Sequence, residues 1–372
     1  MRDFFNINSP IRFVFPIDGD CINNNDGDFV DVCVKAPCDH DILICGIKAE
    51  NIEGFFHAKI EIKDSDTELV AVDLTDDIET KIRVFRLNSP IGYYRISSDD
   101  NIVFLADITA NKDKYSSIFE NPYLAVYKKA HDLYGAAVHI NLFYEFNDES
   151  AAVFNNKREY FNLSMMTDKF KDEFEANSDW LKLSFHANAE RPDRPYLNAT
   201  AEQITTDAER VIKEIRRFAG DSVLTPCTTV HWGDTSLEAA IALRQIGYKA
   251  MTGYFILNEG PVAYYAPDDL IDHVYTRDFW KDTETDILFG RIDLVLNCHP
   301  LEENLDIIRS VMSSPTRGGF VSAMIHEQYF YDDYIAYIPN FEELVLEACK
   351  LISENGYKGR HIADVAGFEK NI

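Results

Sequence analysis

The stretch Trp180-Leu-Lys-Leu-Ser-Phe-His-Ala-Asn-Ala-Glu190 passes from an apolar run into polar residues, and a long helical pattern follows it. Residues 180–185 predict a strand. Residues 201–219 carry apolar side chains at helical spacing and predict an amphipathic helix. A buried strand followed by a helix is the repeating unit of a parallel sheet. The polar residues at the strand's end, His186 and Glu190, are therefore the first candidates for a functional site.

The same alternation of strand and helix extends over residues 98–372. The predicted strands are Ile102–Leu105, Ala136–Tyr144, Trp180–Phe185, Thr228–Trp232, Lys249–Phe255, Ile292–Leu296, Phe320–Ile325 and a short one at His361–Val365. Helical patterns separate them at Pro122–Tyr134, Ala201–Ala219, Leu237–Ile246, Glu303–Met312 and Phe341–Glu354. About seven such units predict an α/β fold, either a closed barrel or a doubly wound sheet. Residues 256–290 interrupt the pattern and predict an insertion.

Residues 1–97 have a different pattern. Short runs of β-branched and aromatic residues recur about every ten residues and are separated by Asn, Asp and Gly. This spacing is typical of an antiparallel β-sandwich. The sequence therefore predicts two domains, a β-sandwich over residues 1–97 and an α/β domain over residues 98–372.

The charge balance limits the partners. The 372 residues include 36 Lys and Arg against 63 Asp and Glu, for a formal net charge of −27. Nucleic acid and anionic membranes repel such a protein, so neither is an expected partner. No apolar run approaches the ~20 residues that a membrane span needs. The expected partners are neutral or cationic, and the oligomeric state stays open.

The cysteines indicate a reducing compartment. There are seven of them, an odd number, and no two form a Cys-x-x-Cys pair. Such a set is typical of free thiols in a cytosolic protein. The first residues show no apolar signal-peptide segment. We therefore expect a cytoplasmic location.

Polar residues follow most of the predicted strands, where parallel α/β barrels have their active sites. These residues are Asp107, Tyr144, His186, Glu190, His231, Trp232, Asp234, Asn297, His326 and Glu327. Imidazole and carboxylate groups at one rim suit a divalent metal ion, which generates a nucleophile from water near neutral pH. His139 lies in the middle of a predicted strand, and we expect it to be a hydrogen-bonded core residue. The aromatic residues at the rim, including Tyr144 and Trp232, fit a sugar-binding groove, with ordinary packing as the alternative.

Residues 98–365 resemble the polysaccharide deacetylase (NodB-homology) superfamily, whose fold is a distorted (β/α)7 barrel. Asp107 stands where that family has a double-Asp motif, in which one Asp is the general base and the other a metal ligand. His186 and Glu190 stand where the family has His-Ser/Thr-x-x-x-His, and His326 stands where it has Leu-x-His. The segment around His231 occupies the place of the Arg-x-Pro-x-Gly motif. The N-terminal domain resembles the Ig-like or carbohydrate-binding-like modules that are joined to such barrels.

This sequence departs from the family pattern at three points. The motif at Asp107 has one Asp instead of two, Glu190 replaces the second His, and the Arg-x-Pro-x-Gly motif is absent. A Glu can still serve as a ligand, since zinc accepts carboxylate as well as imidazole.

The resemblance implies a metal-dependent hydrolase that removes an acyl group from an amino sugar in a carbohydrate. Asp107, His186 and Glu190 would hold zinc, or else cobalt, nickel or manganese. His326 would be the general acid, Glu327 or Asp234 the base, and His231 a group that stabilises the oxyanion. The substrate-binding residues would be Trp232, Asp234, Tyr144 and Asn297.

Two alternatives stay open. One is a glycoside hydrolase on the same barrel, in which Asp107 and Glu327 are the paired carboxylates. The other is a non-catalytic protein, a degenerate barrel that binds a saccharide or a protein through its aromatic rim.

Overall fold

A computed structural model describes residues 3–22, 29–87, 92–155, 158–257 and 263–367. The chain forms two compact units. The first comprises the described part of residues 1–91 together with Phe279–Leu288, and the second the described parts of residues 92–278 and 289–372.

The first unit begins with nine strands. They are β1 Arg12–Phe15, β2 Cys21–Ile22, β3 Phe29–Lys35, β4 Ile42–Ile44, β5 Ile47–Lys48, β6 Glu50–Ile52, β7 Phe55–Glu61, β8 Asp66–Asp73 and β9 Ile78–Arg86. One sheet has the order β1-β3-β7-β6 and is antiparallel. The other has the order β2-β9-β8-β4-β5, in which only β2 and β9 pair in parallel.

Alternating side chains give this unit its core. In β7, Phe56, Ala58 and Ile60 are buried, and the residues between them face outward, as a strand with one buried face requires. Side chains from both sheets join in one apolar cluster that includes Val32, Leu69 and Val84.

The second unit contains the helices and most of the parallel strands. Its strands are β10 Tyr93–Asn101, β11 Ala137–Phe143, β12 Glu145–Phe146, β13 Phe161–Asn162, β14 Leu181–Ala187, β15 Cys227–Thr228, β16 Ala250–Gly253, β19 Leu294–Val295, β20 Phe320–His326 and β21 Lys358–Gly359. Strand β17 Phe279–Asp282 belongs to the first unit, and β18 Ile287–Arg291 begins in the first unit and ends in the second. The helices are α1 Val103–Ala110, α2 Pro122–Tyr134, α3 Asp148–Ala152, α4 Lys171–Ala176, α5 Ala201–Phe218, α6 Leu237–Gln245, α7 Asp268–Tyr275, α8 Leu301–Met312, α9 Phe341–Glu354 and α10 Ile362–Ala366. The chain is thus an α/β protein, as predicted.

The central sheet of this unit has the order β14-β11-β10-β20-β19, and all its neighbours pair in parallel. Its strands are buried along nearly their whole length. Parallel pairing brings the carboxyl ends of β10, β14 and β20 to one edge, and there Asp99 is the register partner of His326.

The helices pack through the apolar faces that their sequences predict. In α5, the residues Ile204, Ala208, Val211, Ile212, Ile215 and Phe218 are all buried. The hydroxyl of Thr200 caps its first turn by accepting a hydrogen bond from the backbone N–H of Gln203. No helix in the described ranges is both long and apolar enough to cross a membrane.

Two predicted strands are wrong, and a third is shorter than predicted. Residues 103–105 belong to helix α1, Ile102 is the residue before it, and the preceding strand is β10. Residues 361–365 fall largely in helix α10, and the strand predicted at 228–232 is reduced to β15. The error at α1 has a physical cause, since the short helix is buried through Val103, Phe104, Leu105 and Ile108, and a short buried helix has the same continuous apolar pattern as a buried strand.

Candidate metal centre

A cavity of about 480 Å³ opens at the carboxyl edge of the parallel strands. Asp99 and Asp100 reach it from the end of β10, His186 from β14 and His326 from β20. His231 reaches it from the loop after β15. The topology therefore gathers two carboxylates and three imidazoles from four separate segments.

Three of these side chains meet at one point. Oδ1 of Asp100 lies 3.0 Å from Nε2 of His186 and 3.2 Å from Nδ1 of His231. The two ring nitrogens lie 3.1 Å from each other. Ligand atoms about 2.0–2.2 Å from a tetrahedral zinc ion are roughly 3.3 Å apart, so the spacing of this trio suits such an ion.

Hydrogen bonds on the far sides of both rings determine which nitrogens carry protons. Nδ1 of His186 bonds to the carbonyl oxygen of Thr229, and Nε2 of His231 lies 3.2 Å from the carbonyl oxygen of Glu190. A carbonyl oxygen can only accept, so each of these nitrogens must donate. In the neutral rings, Nε2 of His186 and Nδ1 of His231 are then bare lone pairs that point at the carboxylate of Asp100.

Three acceptor atoms at 3.0–3.2 Å repel one another unless a positive charge lies among them, either a proton that a ring nitrogen donates to Asp100 or a cation. A divalent cation would supply that charge, and backbone carbonyls commonly orient metal-binding histidines through the other ring nitrogen. Among the described residues of this unit, the trio of Asp100, His186 and His231 is a buried group that could hold an ion. The donor set of one carboxylate and two imidazoles fits zinc and other divalent transition metals.

The electrostatics of the trio favour an ionised carboxylate. Burial alone would raise the pKa of Asp100, but the hydrogen bonds with His186 and His231 outweigh it, and the pKa lies well below its usual value. Burial lowers the pKa of His231, but the hydrogen bond to Asp100 and the charges of Asp100 and Glu190 together outweigh burial, and the pKa lies above its usual value. The net result is an anionic oxygen at the centre of the group.

Asp99 lies beside the trio and also lines the cavity. Its side chain is 2 % exposed, and Oδ1 accepts a hydrogen bond of 2.6 Å from Nδ2 of Asn141. The carboxylate of Asp99 is therefore held beside the trio of Asp100, His186 and His231 but does not belong to it.

His326 is held on the neighbouring strand by Asn297. The amide oxygen of Asn297 accepts from the backbone N–H of His326 at 3.0 Å and from Nδ1 at 2.9 Å. This leaves Nε2 as the ring nitrogen that can exchange a proton with a ligand. Asn297 was predicted to bind substrate, and here it orients the predicted general acid.

Glu190, predicted as a metal ligand, lines the cavity but is bound to another side chain. Its Oε2 accepts a hydrogen bond of 2.7 Å from Gln328. Burial and the nearby charge of Asp100 raise the pKa of Glu190 to about 8. Its backbone carbonyl, by contrast, positions His231.

Asp107 is not brought together with His186 and Glu190. It lies within helix α1 and lines a separate cavity of about 400 Å³. Its carboxylate accepts hydrogen bonds from Asn111 at 2.9 Å, Tyr115 at 2.9 Å and Asn121 at 2.7 Å. These contacts tie α1 to the start of α2.

Glu327 follows β20, but its side chain turns to the first turn of α1. Its two oxygens accept from the backbone N–H groups of Ile102, Val103 and Phe104 and from the hydroxyl of Tyr331. A carboxylate in this position neutralises the positive end of a helix. Glu327 is not among the residues that line the cavity.

Of the remaining predicted site residues, Asp234 and Tyr144 lie outside the cavity and Trp232 lines it. Asp234 is buried against Arg194 at 2.5 Å, and Tyr144 stacks under the guanidinium of Arg210, so neither lines the cavity. Trp232 does line it and is 42 % exposed. Its backbone has a φ of +64°, a conformation that bulky residues rarely adopt. Such strain at a rim residue is typical of functional sites.

Sequence reasoning missed Asp99 and Asp100. The signal was present, because the run Tyr93-Tyr-Arg-Ile-Ser-Ser-Asp-Asp100 leads a strand directly into two adjacent aspartates. Because the sequence of the buried helix α1 predicts a strand, the predicted end of that strand was Asp107 instead of the Asp99–Asp100 pair. The structure thus places a pair of aspartates, Asp99 and Asp100, shortly before Asp107 in the sequence, and it brings the imidazole of His231 to the same cavity.

Comparisons with known proteins give likeness in fold only. No family model matches the chain. No curated protein matches it either. Among solved structures, a peptidoglycan N-acetylglucosamine deacetylase is 9% identical, with a TM-score of 0.37, and the match covers 77% of this chain and 93% of that one. The carbohydrate deacetylase Agd3 is also 9% identical, with a TM-score of 0.38, and the match covers 90% of this chain and 72% of that one. The chemistry of the site therefore follows from its own geometry.

Proposed function

We propose that the protein is a metal-dependent hydrolase that removes an acyl group from an amino sugar in a carbohydrate. The observation that carries this proposal is the meeting of Asp100, His186 and His231 at 3.0–3.2 Å, with Asp99 and His326 beside them in one open cavity. Such a set combines a cation site with two groups that can carry protons.

A divalent ion held by the trio would supply Lewis-acid polarisation of a carbonyl and a lower pKa for water. Asp99, as a carboxylate, accepts the proton of the water that attacks the acyl carbon. His326, held at Nδ1 by Asn297, donates the proton on Nε2 to the leaving nitrogen as the C–N bond breaks. The products are a free amine and a carboxylic acid. The two groups lie on paired positions of neighbouring strands.

A sugar is the proposed substrate because the cavity combines polar groups with aromatic side chains. Trp232, Tyr254, Tyr329 and Tyr334 all line it. Aromatic faces beside carboxylates suit the apolar faces and hydroxyl groups of a pyranose ring. The paired carboxylates of the glycoside hydrolase alternative, Asp107 and Glu327, are both committed to helix contacts and do not line this cavity.

The proposal extends to architecture and location. We expect the parallel strands around the cavity to close into the distorted (β/α)7 barrel of the deacetylase type, and the first unit to be a β-sandwich module. None of the seven cysteines, all of which lie in the described residues, forms a disulfide bond, which fits a reducing compartment such as the cytoplasm.

The test is a hydrolysis assay on N-acetylglucosamine oligomers with protein that has been stripped by chelation and reloaded with zinc, cobalt, nickel or manganese. The proposal expects release of acetate that depends on the added metal and disappears in Asp99→Asn. Acetate release by the stripped protein, or reducing ends without acetate, would contradict it. A matched control is Asp113→Asn, at an exposed position outside the cavity.

A further inference from the structure

A chain of buried polar side chains connects Arg95 to Asp99. Nη1 of Arg95 lies 2.7 Å from Nδ1 of His139, and Nε2 of His139 lies 2.8 Å from Oγ of Ser184. Oγ of Ser184 lies 2.5 Å from Oδ1 of Asn141, and Nδ2 of Asn141 lies 2.6 Å from Oδ1 of Asp99. All five side chains are at most 2 % exposed.

Arg95 determines the direction of the hydrogen bonds along this series of side chains. A guanidinium has only N–H donors, so Nδ1 of His139 must accept and Nε2 must carry the ring proton. Nε2 therefore donates to Ser184. Burial and the charge of Arg95 hold the pKa of His139 well below its usual value, which keeps the ring in this neutral form. The hydroxyl proton of Ser184 is then left to bond Asn141.

A second obligate donor determines the orientation of the Asn141 amide independently. The backbone N–H of Thr229 donates to Oδ1 of Asn141 at 3.2 Å. Two donors thus converge on that oxygen, and the amide NH₂ must face Asp99. The last hydrogen bond of the series is therefore donated by the amide N–H of Asn141 to the carboxylate of Asp99.

The buried charge at the start of this chain is costly. Arg95 is fully buried, and its other nitrogens donate to Ser322 at 3.1 Å and to Thr252 at 3.0 Å. All its nitrogens are therefore bonded to neutral groups, and none of these bonds forms an ion pair. An apolar side chain of similar size commonly stabilises a core as well as or better than a buried charge. The arrangement therefore points to a role beyond packing.

We propose that Arg95, His139 and Ser184 are positioning residues that act through Asn141 to hold the carboxylate of Asp99 in one orientation. This inference rests on the proposed function, in which Asp99 is the base. A base that is misplaced by an ångström costs the chemical step far more than substrate binding.

The test compares two buried serines in the same unit. Ser184 lies within the chain, whereas Oγ of Ser97 on β10 is buried with no hydrogen-bond partner among the described residues. We expect Ser184→Ala to lower kcat about tenfold and Asn141→Leu about a hundredfold, with KM and zinc affinity unchanged. Ser97→Ala should leave kcat at the wild-type value. Equal losses in the two serine variants, or a change in KM alone, would overturn the proposal.

Two further measurements need no turnover. Nitrogen-15 NMR of the intact protein should show His139 with its proton on Nε2, and crystal structures should show the Asp99 carboxylate rotated in Asn141→Leu. A proton on Nδ1, or a carboxylate that superposes on the wild type in that variant, would refute the positioning role. Absence of wild-type acetate release would instead refute the proposed function, while these two measurements would still decide the inference.

Discussion

Oδ1 of Asp100 and Nε2 of His186 lie 3.0 Å apart although their strands, β10 and β14, are not neighbours. Strand β11 lies between them, so the two side chains meet across the end of β11. His231 completes the group from a loop. We expect His231→Ala and Asp100→Asn each to reduce zinc affinity at least about a hundredfold, because each removes one of three ligands. Isothermal titration calorimetry on the chelated protein measures this.

The matched control for the metal prediction is His131→Ala. His131 lies on α2 of the same unit, stacked on Trp180, and does not line the cavity. It should bind zinc as the wild type does. Wild-type affinity in His231→Ala would show that the trio is not a metal site.

Asp107→Ala should destabilise the protein without changing metal binding. The substitution leaves the side chains of Asn111, Tyr115 and Asn121 without their shared acceptor. We expect a loss of about 1–3 kcal/mol in the free energy of unfolding, measured in urea. Asp113→Ala, at an exposed position on the same segment, should stay within about 0.5 kcal/mol of the wild type. Loss of zinc affinity in Asp107→Ala would restore its predicted role as a ligand.

The sequence predicted most of the alternating elements, and the error that decided the site was the boundary between β10 and α1. Strands β11 and β14 are buried along their whole length and were recognised from the apolar residues within them. Strand β10 was not recognised, because Arg95, two serines and two aspartates leave it few apolar residues. The polar residues of β10 are therefore the reason why the sequence did not predict the strand that carries Asp99 and Asp100.

The sequence also could not predict which side chains meet in space. His186 and His326 were recognised because each follows a clear strand, but only the fold shows which nitrogen faces which oxygen. The two tautomers that define the trio depend on the carbonyl groups of Thr229 and Glu190, which no side-chain pattern reveals.

Glu327→Gln should destabilise helix α1. The two carboxylate oxygens accept four hydrogen bonds, three of them from backbone N–H groups at the start of the helix. An amide replaces one oxygen with a donor, which then faces other donors. We expect a loss of about 3 kcal/mol in the free energy of unfolding. The exposed Glu343→Gln, in the first turn of α9, should change it by less than about 0.5 kcal/mol. Equal stability of the two variants would contradict the capping role.

Trp232→Ala should weaken substrate binding and leave the chemical step intact. The indole is 42 % exposed at the cavity rim, and it makes no contact with the trio other than its neighbour His231. Loss of a stacking face is worth about 0.5–1.5 kcal/mol, so KM for an oligosaccharide should rise about two- to tenfold. The exposed Leu237→Ala, outside the cavity, provides the control. A fall in kcat at constant KM would argue instead for a role in positioning the catalytic groups.

His40 gives the first unit a stability that depends on pH. Its Nδ1 lies 2.6 Å from Oδ2 of the buried Asp73, and this hydrogen bond raises the pKa of His40 above its usual 6.5. Between 6.5 and the raised pKa the folded state binds more protons than the unfolded state, so stability falls as pH rises through that window. The contribution is fully present below pH 6.5. We expect His40→Gln to lower the urea midpoint at pH 6 and to converge on the wild type at higher pH.

Two controls separate this effect from others. Asp73→Asn should remove the same pH dependence, because it removes the partner that raises the pKa of His40. Measurements in a chelator exclude a cation held by His40, Asp73 and Asp76, which lie close enough together to bind one. A difference between His40→Gln and the wild type that grows as pH rises would have the wrong sign for a protonated histidine, and it would show that the neutral ring stabilises the unit.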